Sequence, residues 1–152
     1  MIKLIFFLLL RGVVAGIFIV SGTEKLLSPY ENFLYVIQNY QVLPWPGMER
    51  MVAHVFPWIE LSLGVFLISG LWIRWVLLGL AASTATFIFI VSQAIIRNLP
   101  INSCGCFGDL VKVPLPVILT MDSLILISIF LMSYNRTQIL RFSLDQYFDQ
   151  NP

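Results

Sequence analysis

A chain of 152 residues that is 59% hydrophobic and only 11% charged is not composed for water; soluble domains average about 25% charged residues. The formal net charge of +1 and the lack of a basic run give no footprint for a nucleic-acid partner. Two cysteines are too few for a disulfide framework, and the length suits one domain.

A helix needs about 20 mostly apolar residues to cross a bilayer core. The first such stretch runs from about Ile2 to Gly22. Lys3 gives it a basic start, but Arg11 interrupts the run and no small-x-small cleavage site follows, so it reads as a retained helix. Gly12 and Gly16 form a G-x-x-x-G on it, a signal for close helix packing. Glu24 and Lys25 follow as an expected interfacial pair.

The long connection from Thr23 to Met51 contains a second, shorter pattern. Ser28-Pro29-Tyr30-Glu31 reads as a capping box with proline at the first helical position. Phe33, Val36, Ile37 and Tyr40 then recur at helical spacing, which predicts a short interfacial helix. Leu43-Pro44-Trp45-Pro46-Gly47 ends it with a turn.

The second and third spans run from about Val52 to Leu71 and from about Ile73 to Ile96, joined so closely that they form an antiparallel hairpin. The fourth runs from about Val113 to Ser133. Gly79 with Ser83 is another small-residue pair for packing. Trp45, Trp58, Trp72 and Trp75 fall near predicted span ends, as an aromatic belt requires. The expected fold is an all-α membrane protein, a four-helix up-down bundle with a short interfacial helix in the first long loop. Residues 1–135 form the domain and 136–152 a short tail. An even number of spans puts both termini on one side and both long loops on the other. Counting Lys and Arg in the short loops does not choose the orientation.

Asn102-Ser103-Cys104-Gly105-Cys106-Phe107-Gly108-Asp109, between the last two spans, is the most specific segment. Thiols one residue apart can close a small, strained disulfide, with Gly105 and Gly108 as hinges. Strained and exposed disulfides are the labile ones, which favours exchange at Cys104 and Cys106. A structural disulfide and a pair of inert or metal-binding thiols are the alternatives; a metal would need His54 and Asp109 to converge, and no metal site is predicted. A disulfide persists in an oxidising compartment, which puts this loop on the periplasmic side and the termini in the cytoplasm. Lys112 or His54 is a source of positive charge to favour the thiolate.

Arg11, Glu60 and Asp122 stand inside apolar spans, where charge is costly and faces partners or a cavity. With the spans as drawn, the three fall at about the same depth and form one polar layer, with His54 between it and the cysteine loop. That layer is either a structural ion pair or a pocket that handles protons or a quinone headgroup.

The chain resembles the methylamine-utilisation MauE family, within the broader DoxX-like group of four-helix membrane proteins. The resemblance rests on Arg11-Gly12, Ser21-Gly22-Thr23-Glu24-Lys25-Leu26, Tyr40 with Leu43-Pro44, Pro57-Trp58-Ile59-Glu60-Leu61 with Gly64, Gly70-Leu71, Arg74, and Ser103-Cys104-Gly105-Cys106-Phe107-Gly108. It implies a bacterial inner-membrane protein that supports periplasmic disulfide formation or maturation beside a thioredoxin-like partner. Thiol-disulfide exchange is the expected activity, with quinone as the candidate cofactor, membrane lipid as a further partner and a homo-oligomer as the candidate assembly. The alternative is a non-enzymatic DoxX-like scaffold or a quinone-binding subunit of a larger complex.

Overall fold

The computed structural model describes residues 2–99 and 114–135, with side chains from Ile5 onward. The cysteine loop, with Cys104, Gly105, Cys106, Gly108, Asp109 and Lys112, lies outside the described residues, as does the tail from Arg136. Among the described residues all regular structure is helical: α1 (Ile2–Leu27), α2 (Tyr30–Tyr40), α3 (Pro46–Ser69), α4 (Ile73–Ile96) and α5 (Leu115–Tyr134). Four of these, all but α2, are long and apolar enough to cross a membrane. The expected fold class is the one observed, and the chain is a multi-pass membrane protein.

Two of the expected boundaries move. Helix α1 does not stop at Gly22 but continues through Thr23-Glu24-Lys25-Leu26 to Leu27. Polar side chains extend it because each finds a partner: the Thr23 hydroxyl donates to the Ile19 carbonyl at 2.6 Å, and the Ser28 hydroxyl donates to Glu24 Oε1 at 2.7 Å. That last bond also dissolves the expected capping box. Ser28 is turned back onto α1, and α2 starts after Pro29 with no side-chain cap. Helix α3 begins six residues before the expected Val52. Trp45 is its extended N-cap and Pro46 opens its first turn, where a missing N–H costs nothing. At the other end Gly70, at φ 76°, closes α3 by donating to the Phe66 carbonyl, and Leu71 donates to the same oxygen.

Helix α1 lies antiparallel along α3, α4 against α5, and α2 across the first half of α3. Lipid gives helices no hydrophobic reason to associate, so close backbone approach and polar contacts decide the pairing. The close approach is made by Gly22 and Gly64. A methyl group on Gly22 would stand 2.7 Å from the Leu61 backbone nitrogen and 3.0 Å from the Pro57 carbonyl oxygen. One on Gly64 would stand 3.0 Å from the Ile19 nitrogen and 3.1 Å from the Ala15 carbonyl oxygen. Gly12 and Gly16, the pair that looked like the packing motif, have nothing within 4 Å. Their side of α1 is not the side that meets α3. Gly79 does pack, against the Leu63 side chain.

The interior has two apolar clusters with a polar layer between them. One joins Phe7, Val14 and Phe18 of α1 to Leu67, Ile73, Leu80, Ile129 and Met132. The other gathers Tyr40, Val91, Ala94, Leu115 and Ile118, with Val36, Val42 and Leu99 against them. The second cluster fixes the end of the bundle where α2, the end of α4 and the start of α5 meet, and Arg97 reaches Gln41 there at 3.4 Å. The two anchors of the cysteine loop are therefore held beside α2. Outward faces carry Phe6, Leu9, Val13, Leu78, Phe89, Leu124 and Phe130, which suits a hydrocarbon solvent. Trp45, Trp72 and Trp75 are exposed at helix ends, but the longer α3 leaves Trp58 exposed midway along it instead.

Replacing Gly22 or Gly64 by alanine is expected to lower stability by about 1–3 kcal/mol, the usual cost of overpacking. Gly12→Ala and Gly16→Ala should be neutral or slightly stabilising. Thermal unfolding in detergent, followed by circular dichroism, checks the contrast; equal effects at all four positions would remove the assignment of the crossing point.

Candidate functional site

The centre of the polar layer is a salt bridge that the sequence reading did not pair. Lys25 Nζ lies 2.6 Å from Glu60 Oε2, with the two side chains only 1% and 3% exposed. The same ammonium donates to Ser21 Oγ at 2.8 Å. Ser21 and Lys25 are one helical turn apart, so the extension of α1 past Gly22 is what puts both on the face toward α3. Phe33 of α2 and Phe87 of α4 flank the cation, with ring centroids 5.3 and 5.4 Å from Nζ. A ring face attracts a cation more strongly where water is excluded. One ammonium thus ties four helices together.

Below the pair is a cavity of about 40 Å³ lined by Ser21, Glu60, Thr84 and Asp122, and walled by Phe18, Phe87, Ile118 and Ile125. That volume has room for no more than a few waters. Asp122 Oδ2 and Thr84 Oγ1 are buried with no hydrogen-bond partner, and Thr84 is 2% exposed. Helix α5 contributes to the layer through Asp122 and so completes it from the fifth side.

Of the residues singled out in the sequence, the structure brings Glu60 and Asp122 together at this cavity. It places Arg11 elsewhere, so the expected single layer of three does not form. Because α1 runs on to Leu27, Arg11 lies about 21 Å along the helix from Lys25. There its Nε donates to the Leu67 carbonyl at 2.6 Å and its Nη2 to the Ile68 carbonyl at 2.9 Å. Those oxygens belong to the last turn of α3, whose carbonyls have no partner within the helix. Arg11 caps α3 from the side and sits at the negative end of its dipole. His54 is exposed on α3, its ring 4.2 Å from that of Tyr30 and its Nδ1 3.4 Å from the Arg50 carbonyl. It fastens the start of α2 to α3 and does not reach Glu60's layer. Glu24 and Lys25 are not an interfacial pair: Glu24 turns to Ser28, and Lys25 turns inward to Glu60.

Lys25 is the functional side chain that sequence reasoning missed. The signal was present in Ser21 and Lys25 at helical spacing, both facing a lone acid on another span. It was hidden by ending the first helix at Gly22.

A second opening, about 420 Å³, lies between α2, α3 and α4. Its lining is almost wholly apolar and includes Phe33, Tyr40, Phe56, Phe87 and Phe89. Phe33 and Phe87 separate it from the ammonium of Lys25. No group of three or more His, Cys, Asp or Glu able to hold a metal occurs among the described residues.

The model of the family described as methylamine utilisation protein MauE matches residues 3–134. The methylamine utilization protein MauE of Paracoccus denitrificans is 29% identical over 121 residues, covering 77% of this chain and 62% of that protein. This chain therefore spans less than two thirds of that relative's length. No solved structure matches the chain.

Lys25→Met, which leaves Glu60 buried without a counter-charge, is expected to cost about 3–5 kcal/mol. Adding Glu60→Gln to it should recover most of that loss. A double-mutant cycle of detergent unfolding measures the coupling, and stability unchanged in the single variant would show that the pair does not hold the bundle.

Proposed function

The chain belongs to the MauE family, and from that premise we propose that it is a thiol-disulfide exchange component of the bacterial inner membrane. In this reading Cys104 and Cys106 cycle between dithiol and disulfide on the periplasmic side, and both termini are cytoplasmic. The observation that carries it is the Cys104-Gly105-Cys106 pair, in a segment whose flanks Leu99 and Leu115 pack at one end of the bundle. A short ring gains little as a permanent staple, because it closes almost no loop entropy. Its chemical value lies in exchange.

Exchange proceeds through one mixed disulfide. The thiolate of the reduced protein attacks a sulfur of the other's disulfide and expels one thiolate. The attacker's second thiol then resolves the mixed disulfide. Two electrons and two protons pass from dithiol to disulfide, and no other reactant is consumed. The bundle contributes by position: it holds the pair at the membrane surface, where a soluble thioredoxin-fold partner can reach it. A membrane quinone is the two-electron partner available on the lipid side. By analogy with the name of its relative, the protein matured in this way would be one that serves methylamine utilization.

Alkylation trapping in intact cells tests the reading. The wild-type pair is expected to appear as a mixture of dithiol and disulfide that shifts with the redox state of the medium. Cys106→Ser or Cys104→Ser should accumulate a mixed disulfide with a thioredoxin-fold protein, identifiable by mass. Thiols that stay reduced under oxidising conditions, or full function in the doubly substituted chain, would refute exchange and leave a scaffold role.

A further inference from the structure

By formal charge the polar layer has two acids, Glu60 and Asp122, and one cation, Lys25, and thiol exchange does not use the odd acid. Lys25 supplies one positive charge and bonds directly to Glu60 and Ser21, not to Asp122. Asp122 faces the same cavity from α5 with no cation of its own, and its Oδ2 is buried without a partner. From α4 the polar group lining the cavity among the described residues is the hydroxyl of Thr84, itself buried and unpartnered. The groups facing Asp122 are thus Ser21 and Lys25 from α1, Glu60 from α3 and Thr84 from α4, with aromatic and aliphatic walls around them. Arg11 and His54 lie outside this cavity, the first capping α3 and the second against Tyr30. An unmatched charge in hydrocarbon is costly, and ionisable residues that face an interior cavity mark paths and sites for ions or protons.

We propose that the cavity between α1, α3, α4 and α5 is a site for one small monovalent cation, a proton or a sodium ion, held by Asp122 with Thr84 and Glu60 as neighbouring oxygen ligands. The site has the three features such a site needs. It has an anionic oxygen free to take the charge. It has a neutral hydroxyl aimed into the same space, able to donate to or accept from whatever is bound. It also has a volume of about 40 Å³, enough for an ion or a proton carried with water. With the cation bound, two acids and two positive charges balance in the layer. The inference is independent of the cysteine reading and would survive its failure.

Two measurements on the purified full chain in nanodiscs of zwitterionic lipid separate the two cations. The first is infrared difference spectroscopy with carboxyl-labelled aspartate at neutral pH, in a background carrying Asp109→Asn, Asp145→Asn and Asp149→Asn. A label-shifted carboxylic-acid band that disappears in Asp122→Asn identifies the bound cation as a proton. The second is thermal unfolding as sodium replaces choline at constant ionic strength. A rise in Tm with sodium in the wild type, absent in Asp122→Asn, identifies sodium. Asp122→Asn itself should keep the wild-type Tm in choline, because the neutral amide needs no counter-ion. If it fails to fold, both readouts on the chain with Asp122 still decide the matter. An ionised Asp122 together with a sodium-independent Tm overturns the site.

Discussion

The contact on which the bundle depends is the Lys25–Glu60 bridge, because it forms only if several other features of the chain are already in place. A buried ion pair is expensive to assemble and more expensive to break halfway. Here the expense is met by geometry. Gly22 and Gly64 bring the backbones of α1 and α3 within reach, so that a lysine on one span can meet an acid on the other. Phe33 and Phe87 close over the cation and exclude water or lipid from it. The short helix α2 is therefore more than a loop ornament: through Phe33 it covers the layer, and through Tyr40 it joins the cluster at the end of the bundle.

The charged residues of the spans divide their labour. Arg11 answers a backbone need, covering carbonyls at the end of α3 that lipid would leave unpaired. Lys25 and Glu60 answer a packing need by fixing which faces of α1 and α3 meet. Asp122 answers neither. It is the acid whose position follows from no structural requirement visible in its surroundings, and this is why it stands out as a place for a bound ion.

The same architecture gives the cysteine segment its setting. Its two flanks, Leu99 and Leu115, converge where α2, α4 and α5 pack together. The apolar opening between α2, α3 and α4 lies at the same end, sharing Tyr40 and Val42 with that cluster. The flanks of the cysteine segment and the apolar recess thus share one end of the bundle.

Sequence alone determined the number of spans, their order, the short amphipathic helix and the even topology, because lipid imposes a length and a polarity that any reading can count. It also picked out Glu60 and Asp122, since an acid in an apolar run is conspicuous. Tertiary structure alone decided which residues meet. The stretch Ser21-Gly22-Thr23-Glu24-Lys25 looks like a polar helix end when only its composition is read, yet it is continuous helix packed on Pro57 to Gly64. Whether a glycine is a contact or an open surface, as Gly22 differs from Gly12, depends on helix rotation. That rotation is set by contacts between segments far apart in the chain, and no local pattern encodes them.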